Sequence, residues 1–488
     1  MSGKTTHSVV IIGAGMSGLC MGIKLRERGI DDFVILEKSP GVGGTWYDNT
    51  YPGACCDVPS VMYSYSFEPN PHWSRKFSPH NEIRAYFEHC ADKYGLRSRL
   101  RLSTGVAAAE FDEVTGHWGI TLENGETLRA RALVSGLGQL NLPNTPEFPG
   151  AERYRGESFH SARWNHQLDL SGKRVAVIGN AASALQFIPH VAREAAQLYV
   201  YQRSANYVVK RDDRAYSDAE KRRFSRHPWW QKMHRLAVYL RGEFLFYPVL
   251  RTRSWLRPLW QKWCREHMEE NIQDSGLRAK LTPDFPVGCK RILVSDDYYQ
   301  AFARNSVELV SSPITGIGEQ GVESEDAVSR DVDVIIYGTG FRTTDMLSGV
   351  RFAGTGGQSL RDAWADGAEA YRGVCVAGFP NFYMLYGPNT NLGSNSIIFM
   401  VERQVDYALA CIEKLLSHQL TSLDVNSKVM RSYNHRMQAE LAKTVWVASC
   451  DSWYKNAAGK VVNNWPRSTL AYWWHMRAPD FSDFDMRG

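Results

Sequence analysis

The chain has 488 residues, enough for two or three domains with substantial cores. A formal net charge of +5 is only mildly basic, and no Lys/Arg tract marks a nucleic-acid surface. No run of about 18 apolar residues predicts a membrane span, and the first apolar run is glycine-interrupted without a small-residue cleavage pattern, so no secretion signal is expected.

The first predicted strand is Val9 to Ile12, a short apolar run. The turn Gly13-Ala14-Gly15-Met16-Ser17-Gly18 follows at once, then a helical pattern through Leu19, Ile23 and Leu25. In such a strand–turn–helix, Gly13 permits the tight turn and Gly15 admits a pyrophosphate to the backbone. Gly18 lets helix and strand pack closely. Free N–H groups and the helix dipole then favour the phosphates. A second strand, Phe33 to Leu36, ends at Glu37, nineteen residues after Gly18. A carboxylate there accepts hydrogen bonds from ribose hydroxyls and repels a 2′-phosphate, so the site suits FAD or NAD rather than NADP.

The pattern recurs at Gly179-Asn180-Ala181-Ala182-Ser183-Ala184, with Ala181 where the middle glycine belongs. Ser183 and Gln186 open the helix that follows and are candidate cofactor contacts. The next strand, Leu198 to Tyr201, leads to Arg203, in the place that Glu37 holds in the first unit. A guanidinium forks onto phosphate, so this exchange selects NADPH, with Ser204 as a second phosphate contact.

The predicted fold class is α/β, with two Rossmann-like dinucleotide-binding domains, for FAD and NADP, and a helical insertion in the NADP domain. The first part of the FAD domain spans residues 1–145 and ends in the proline-marked linker Leu142 to Pro146. The NADP domain takes 146–210 and 288–337, and 338–488 completes the FAD domain. Residues 211–287 break the pattern. They read as helical and cluster Trp229, Trp230, Trp255, Trp260 and Trp263 among Arg, Lys and His. Three roles stand open for them: packing on the NADP domain beside the substrate cavity, a helix lying on a membrane surface, or an oligomer contact. Nine cysteines show no framework spacing and no C-x-x-C pair, which argues against a redox dithiol. Adjacent Cys55 and Cys56 are expected as reduced thiols, and the cytoplasm as the compartment.

Two further segments carry a family resemblance. Gly43-Gly44-Thr45-Trp46, followed by Tyr51-Pro52-Gly53 and then Asp57, matches in full a pattern of flavin-dependent Baeyer–Villiger monooxygenases. The segment Tyr154 to Asn165 is similar to that family's fingerprint F-x-G-x-x-x-H-x-x-x-W-P/D. Gly156, His160 and Trp164 match, whereas Tyr154 replaces Phe and Asn165 replaces Pro or Asp. Related enzymes that oxidise nitrogen and sulfur usually carry Tyr or Phe at the Trp164 place. Cys289-Lys290-Arg291 resembles the stretch with the family's active-site arginine. Asp333 to Phe341, including Gly340, resembles its strand and turn returning to the flavin. Gly387 to Ser396 resembles its flavin-side loop, in which Asn391 and Asn395 either contact flavin or bridge backbone.

The resemblance implies a cycle in which NADPH reduces FAD, O2 gives a C4a-peroxyflavin, and attack on a ketone carbonyl yields an ester or lactone. It implies Arg291 as the fixed cation, Asp57 as its acidic partner, and Lys290 on the 2′-phosphate. Gly44, Thr45, Trp46 and Asp57 would wall the flavin, while Gly156, His160 and Trp164 would gate domain movement. No metal is implied. A heteroatom oxygenase is the alternative, and a non-catalytic NADPH-sensing flavoprotein a third reading that Ala181 and Asn165 leave open. The particular ketone and the oligomeric state are not written in the sequence.

Overall fold

A computed structural model describes residues 5–347, 349–448, 450 and 452–488. Its larger sheet is organised around Thr5–Ile12, buried from Val9 to Ile12. This strand pairs in parallel with Phe33–Leu36 on one side and Thr127–Ser135 on the other. Burial on both faces explains why these strands read as continuous apolar runs rather than alternating ones. Val106–Asp112, His117–Leu122 and Thr127–Ser135 add an antiparallel meander with alternating burial. Phe382–Met384, some 250 residues later, returns to pair with Thr127–Ser135.

A second sheet has five strands, all parallel. Its order is Val307–Val310, Gln197–Tyr201, Arg174–Ile178, Val334–Tyr337 and Glu157–His160. Helix Ala182–Glu194 covers it through Leu185, Phe187, Ile188 and Val191. Strand Val334–Tyr337 therefore belongs to the second sheet, and the turn after it, at Gly338 to Gly340, delivers the chain toward the first.

The segment after 211 is helical in Asp218–Arg226, Pro228–Arg241, Arg257–Asn271 and Ser275–Leu281. It differs from the expectation of packing on one domain. Helix Pro228–Arg241 docks on residues 61–70 of the first half: the Arg235 guanidinium donates to Val61 O at 2.6 Å and Ser64 O at 3.0 Å, and Gln231 donates to Asn70 O. Met268, Ile272 and Leu281 join the core of the second sheet instead. The insertion thus touches both halves. Cys289 and Cys450 are disulfide-bonded, a pairing across 161 residues that no spacing rule signals, while Cys55 and Cys56 are free.

A small antiparallel pair, Ser422–Val425 with Phe484–Arg487, sets Asp424 opposite Asp485. Burial first, then the facing carboxylate, pushes the Asp424 carboxyl up to about 7. A carboxyl whose folded pKa is raised from 3.8 favours the fold while it holds its proton, and that stabilisation is lost as pH rises through 7. Asp424→Asn keeps an acceptor for the Gly378 N–H. It is expected to melt higher than wild type at about pH 8.5 and no higher at about pH 4, as read by calorimetry.

Candidate active site where the two turns meet

The first turn has little room. Gly13 sits at φ +99°, where an added Cβ would lie 2.7 Å from Gly136 O, and a Cβ on Gly18 would overlap Gly13 O. Gly15 and Gly44 face each other, with the Gly44 Cβ position 3.0 Å from Gly15 Cα. The two backbones touch at the N-terminus of helix Met16–Glu27, with no room for a side chain on Gly44. Glu37 is buried; one carboxylate oxygen accepts from Ala14 N–H at 2.7 Å and the other from Ser39 N–H at 2.8 Å. A carboxylate has about four lone-pair sites, so two remain toward the cavity that Glu37 lines. Thr45 and Trp46 start the short helix Thr45–Asp48, and the Trp46 indole N–H donates to Tyr63 OH at 3.0 Å.

The second turn repeats the device. Gly179 sits at φ +102°, with its Cβ position 2.5 Å from Gly338 O, as Gly13 stands to Gly136. Ala181 takes the N-cap place of helix Ala182–Glu194. Lys290 Nζ donates to Ser204 Oγ at 2.8 Å, and Arg203 lines the same stretch of wall. These three side chains, from two segments some 86 residues apart, all line the cavity wall.

Between the turns lies an ion pair. The Arg291 Nε and Nη2 both donate to Asp57 Oδ2, at 2.8 and 2.6 Å, and each side chain keeps a little under a third of its surface open. The Asp57 carboxylate, outweighing burial, holds the guanidinium above its usual range, so it stays charged. Asp57 is itself held from behind. Gly53, at φ +80°, packs against helix Ala182–Glu194, where a Cβ would lie 2.6 Å from Gln186 O. Gln186 accepts from Tyr51 OH and Cys55 N–H and donates to Cys55 O. Its amide is thereby engaged in clasping the Tyr51-to-Asp57 loop. The Cys55 thiol is pushed up to about 11 by burial and stays inert.

The fingerprint residues form a bolt. Ala162 N–H donates to His160 Nδ1 at 3.1 Å, so the proton sits on Nε2, which donates to Gly340 O at 3.0 Å. Burial lowers the His160 pKa, keeping the ring neutral. Trp164 packs on Phe159 and Phe187, and Phe187 on Tyr51, so the fingerprint reaches the clasped loop through rings. A Cβ on Gly156 would lie 2.6 Å from Asp333 O. Asn391 bridges protein groups: it accepts from Tyr386 OH at 2.6 Å and donates to Asn464 Oδ1 at 2.7 Å. Asn395 donates to Tyr239 O and Glu243 in the helical insertion.

A single cavity of about 1040 Å³ contains both turns, Glu37, Arg203, Asp57, Arg291 and Asn391. That is at the top of the usual range of about 300–1,000 Å³ for one ligand. No described residue of 211–287 lines it; the insertion meets its wall through Asn395, through Arg211, which donates to Cys55 Sγ, and through Lys280 O, which accepts from Gln202. Tyr386 and Gln139 were not singled out by sequence. Tyr386 holds φ +65°, rare for an aromatic residue, and its only local signal is the Gly387-Pro388 that follows. The Gln139 Oε1 is buried on the cavity wall with no donor among the described residues, an acceptor free for a ligand. The side-chain-free backbone of Gly13, Gly15 and Gly44 on the cavity wall, at the N-terminus of helix Met16–Glu27, and that free acceptor fit a bound dinucleotide. Fold and site together define an oxidoreductase that brings two dinucleotides together.

Residues 10–220 match the family model described as pyridine nucleotide-disulphide oxidoreductase. A Baeyer-Villiger monooxygenase of Pseudomonas aeruginosa is 43% identical over 478 residues, covering 96% of this chain and 89% of that one. Among solved structures, an oxidized steroid monooxygenase bound to NADP superposes with a TM-score of 0.88 at 31% identity, covering 99% of this chain and 100% of that one. A complex of OTEMO with FAD and NADP superposes at 0.86 and 26% identity over the same shares. The chain belongs to the Baeyer–Villiger monooxygenase family.

Gly44→Ala puts a methyl 3.0 Å from Gly15 Cα at a positive φ, forcing the two backbones apart. It is expected to weaken FAD retention about tenfold or more, measured as flavin content and by titration of the apoprotein.

Proposed function

We propose that the chain is an FAD- and NADPH-dependent monooxygenase that uses O2 to insert one oxygen atom beside a ketone carbonyl, giving an ester or lactone. The observation that carries this reading is the Asp57–Arg291 pair on the wall of the one cavity both turns share. Bound FAD would accept a hydride from NADPH, activate O2 and deliver the oxygen atom.

The chain's own residues do the rest. Gly13, Gly15, Gly44 and Thr45 hold the FAD pyrophosphate and Glu37 its ribose, while Gly18 lets helix Met16–Glu27 close on the turn. Gly179 and Ser183 hold the second dinucleotide, while Arg203, Ser204 and Lys290 take its 2′-phosphate. Trp46, Asp57, Gly340 and Asn391 wall the flavin and keep water out. Arg291 places a permanent positive charge where negative charge develops on the reacting groups, and Asp57 fixes its direction. A donor so placed is typically worth about 3–4 kcal/mol. His160, neutral and with both ring nitrogens engaged by backbone, serves position rather than proton transfer; with Gly156 and Trp164 it couples the second sheet to the Gly340 turn. Seven free cysteines and the need for NADPH suit the cytoplasm.

The test is turnover of a ketone panel with product analysis by gas chromatography and mass detection. Wild type is expected to yield ester or lactone. Arg291→Ala is expected to lose product formation by about a hundredfold or more while flavin reduction by NADPH persists. Hydrogen peroxide alone from every ketone, with sulfoxide or N-oxide from sulfides and amines, would move the reading to heteroatom oxygenation.

Arg203→Ala and Lys290→Ala each remove a charged donor to the 2′-phosphate. Each is expected to raise KM for NADPH about tenfold or more, leaving that for NADH nearly unchanged. Steady-state kinetics with both nucleotides checks this.

A further inference from the structure

Helix Pro228–Arg241 is inside out. Three of its polar side chains face the protein: Gln231 donates to Asn70 O, Arg235 to Val61 O and Ser64, and Tyr239 OH accepts from Thr469. Its apolar side chains face away. Trp229, Met233, Leu236, Leu240 and, in the turn beyond, Phe244 repeat at helical spacing and are each between 40 and 69% exposed. A surface helix in water normally shows the opposite arrangement.

The stripe has neighbours. Thr469 donates to Glu243 as well as to Tyr239, which sets helix Thr469–His475 beside the end of the stripe with Leu470 and Trp474 exposed. Helix Arg257–Asn271 packs on the other side through Phe246 against Trp260, and leaves Leu259 and Trp263 exposed. Trp255, before it, is 83% exposed. Scattered single apolar residues need no explanation, but a contiguous face of this kind marks an interaction surface.

The charge of the same segment is one-sided. Residues 221–265 hold twelve Lys and Arg and one acid, Glu243, which points inward to Thr469 and Asn395. The segment carries +11 in a chain of +5, so the remainder carries −6. The nearest flanking acids, Glu220 and Glu266, are already paired with Arg214 and Lys262. Lys232, Arg241, Arg253 and Lys262 are exposed around the apolar stripe.

We propose that this face docks on an anionic lipid bilayer, with the Trp and Leu side chains at the headgroup–acyl boundary and the Lys and Arg side chains on the phosphates. A second copy of the chain fits poorly, because a two-fold contact through this face would set its exposed cations, Lys232, Arg241 and Arg253 among them, against their own copies. An anionic bilayer satisfies both properties at once: apolar burial for the stripe and negative charge for its rim. No described helix is long and apolar enough to cross a membrane, so the helix lies on the surface. The docked face backs onto Asn395, which the stripe's helix holds at the cavity wall.

The test sediments the FAD-loaded full chain with vesicles of phosphatidylcholine alone or mixed with phosphatidylglycerol. Binding to the mixed vesicles is expected to exceed that to phosphatidylcholine about tenfold or more and to fall at high salt. Trp229→Ser with Leu236→Ser and Leu240→Ser is expected to lose about tenfold or more of that binding while keeping its flavin. Should that variant lose its flavin, Lys232→Glu with Arg241→Glu and Lys262→Glu is expected to show the same loss. Absence of binding to the mixed vesicles, or binding unchanged in a flavin-loaded variant, overturns the proposal. So does self-association in solution that the triple Ser variant abolishes, which assigns the face to a second copy.

Discussion

The site depends on one ion pair between residues 234 positions apart. Asp57 lies on a loop that follows the first nucleotide turn, and Arg291 on the chain's return to the second sheet. Neither charge is useful alone: an unpaired guanidinium on an apolar wall is costly, and an unpaired carboxylate would repel the anions the site must hold. Joined, they leave a cation whose protonation is fixed and whose direction is set. Much of the surrounding structure serves to hold that geometry. Gln186 clasps the Asp57 loop from helix Ala182–Glu194, and Lys290, next to Arg291, is tied to Ser204. Cys289, one residue further, is bonded to Cys450.

The two nucleotide turns are built by the same physical device. In each, a glycine at positive φ lies against the carbonyl of a second glycine: Gly13 against Gly136, and Gly179 against Gly338. The two halves then diverge by single residues. Gly18 has Ala184 as its counterpart, Gly15 has Ala181, and Glu37 has Arg203. The first unit keeps glycine at all three places and ends in an acid; the second carries a methyl at two of them and ends in a cation.

What was legible in the sequence was local. The glycine spacing, the apolar strands Val9 to Ile12 and Phe33 to Leu36, and the acid or base at each following strand end all lie within some thirty residues, where periodicity and turn chemistry decide. The Asp57–Arg291 pair was reachable only because two motifs resemble a known family; nothing in either segment alone points to the other. Long-range contacts stayed hidden. Gln186 could equally have faced a phosphate, and only the fold turns it toward Cys55. The Cys289–Cys450 bond and the strained Tyr386 follow from loops brought together by distant strands. The helical insertion was legible as helical and Trp-rich. That its polar face points inward could not be read, because a helical period fixes which residues share a face but not which face is buried.

One oxygen atom of O2 is expected to end in an ester or lactone made on this chain. Turnover of a ketone by the FAD-loaded protein with NADPH under oxygen-18 gas, with mass analysis of the product, tests it most directly. The account predicts a single labelled oxygen in the ester and no label taken from oxygen-18 water. Ester labelled from water, or NADPH consumed under labelled gas with no labelled ester from any ketone, would contradict it.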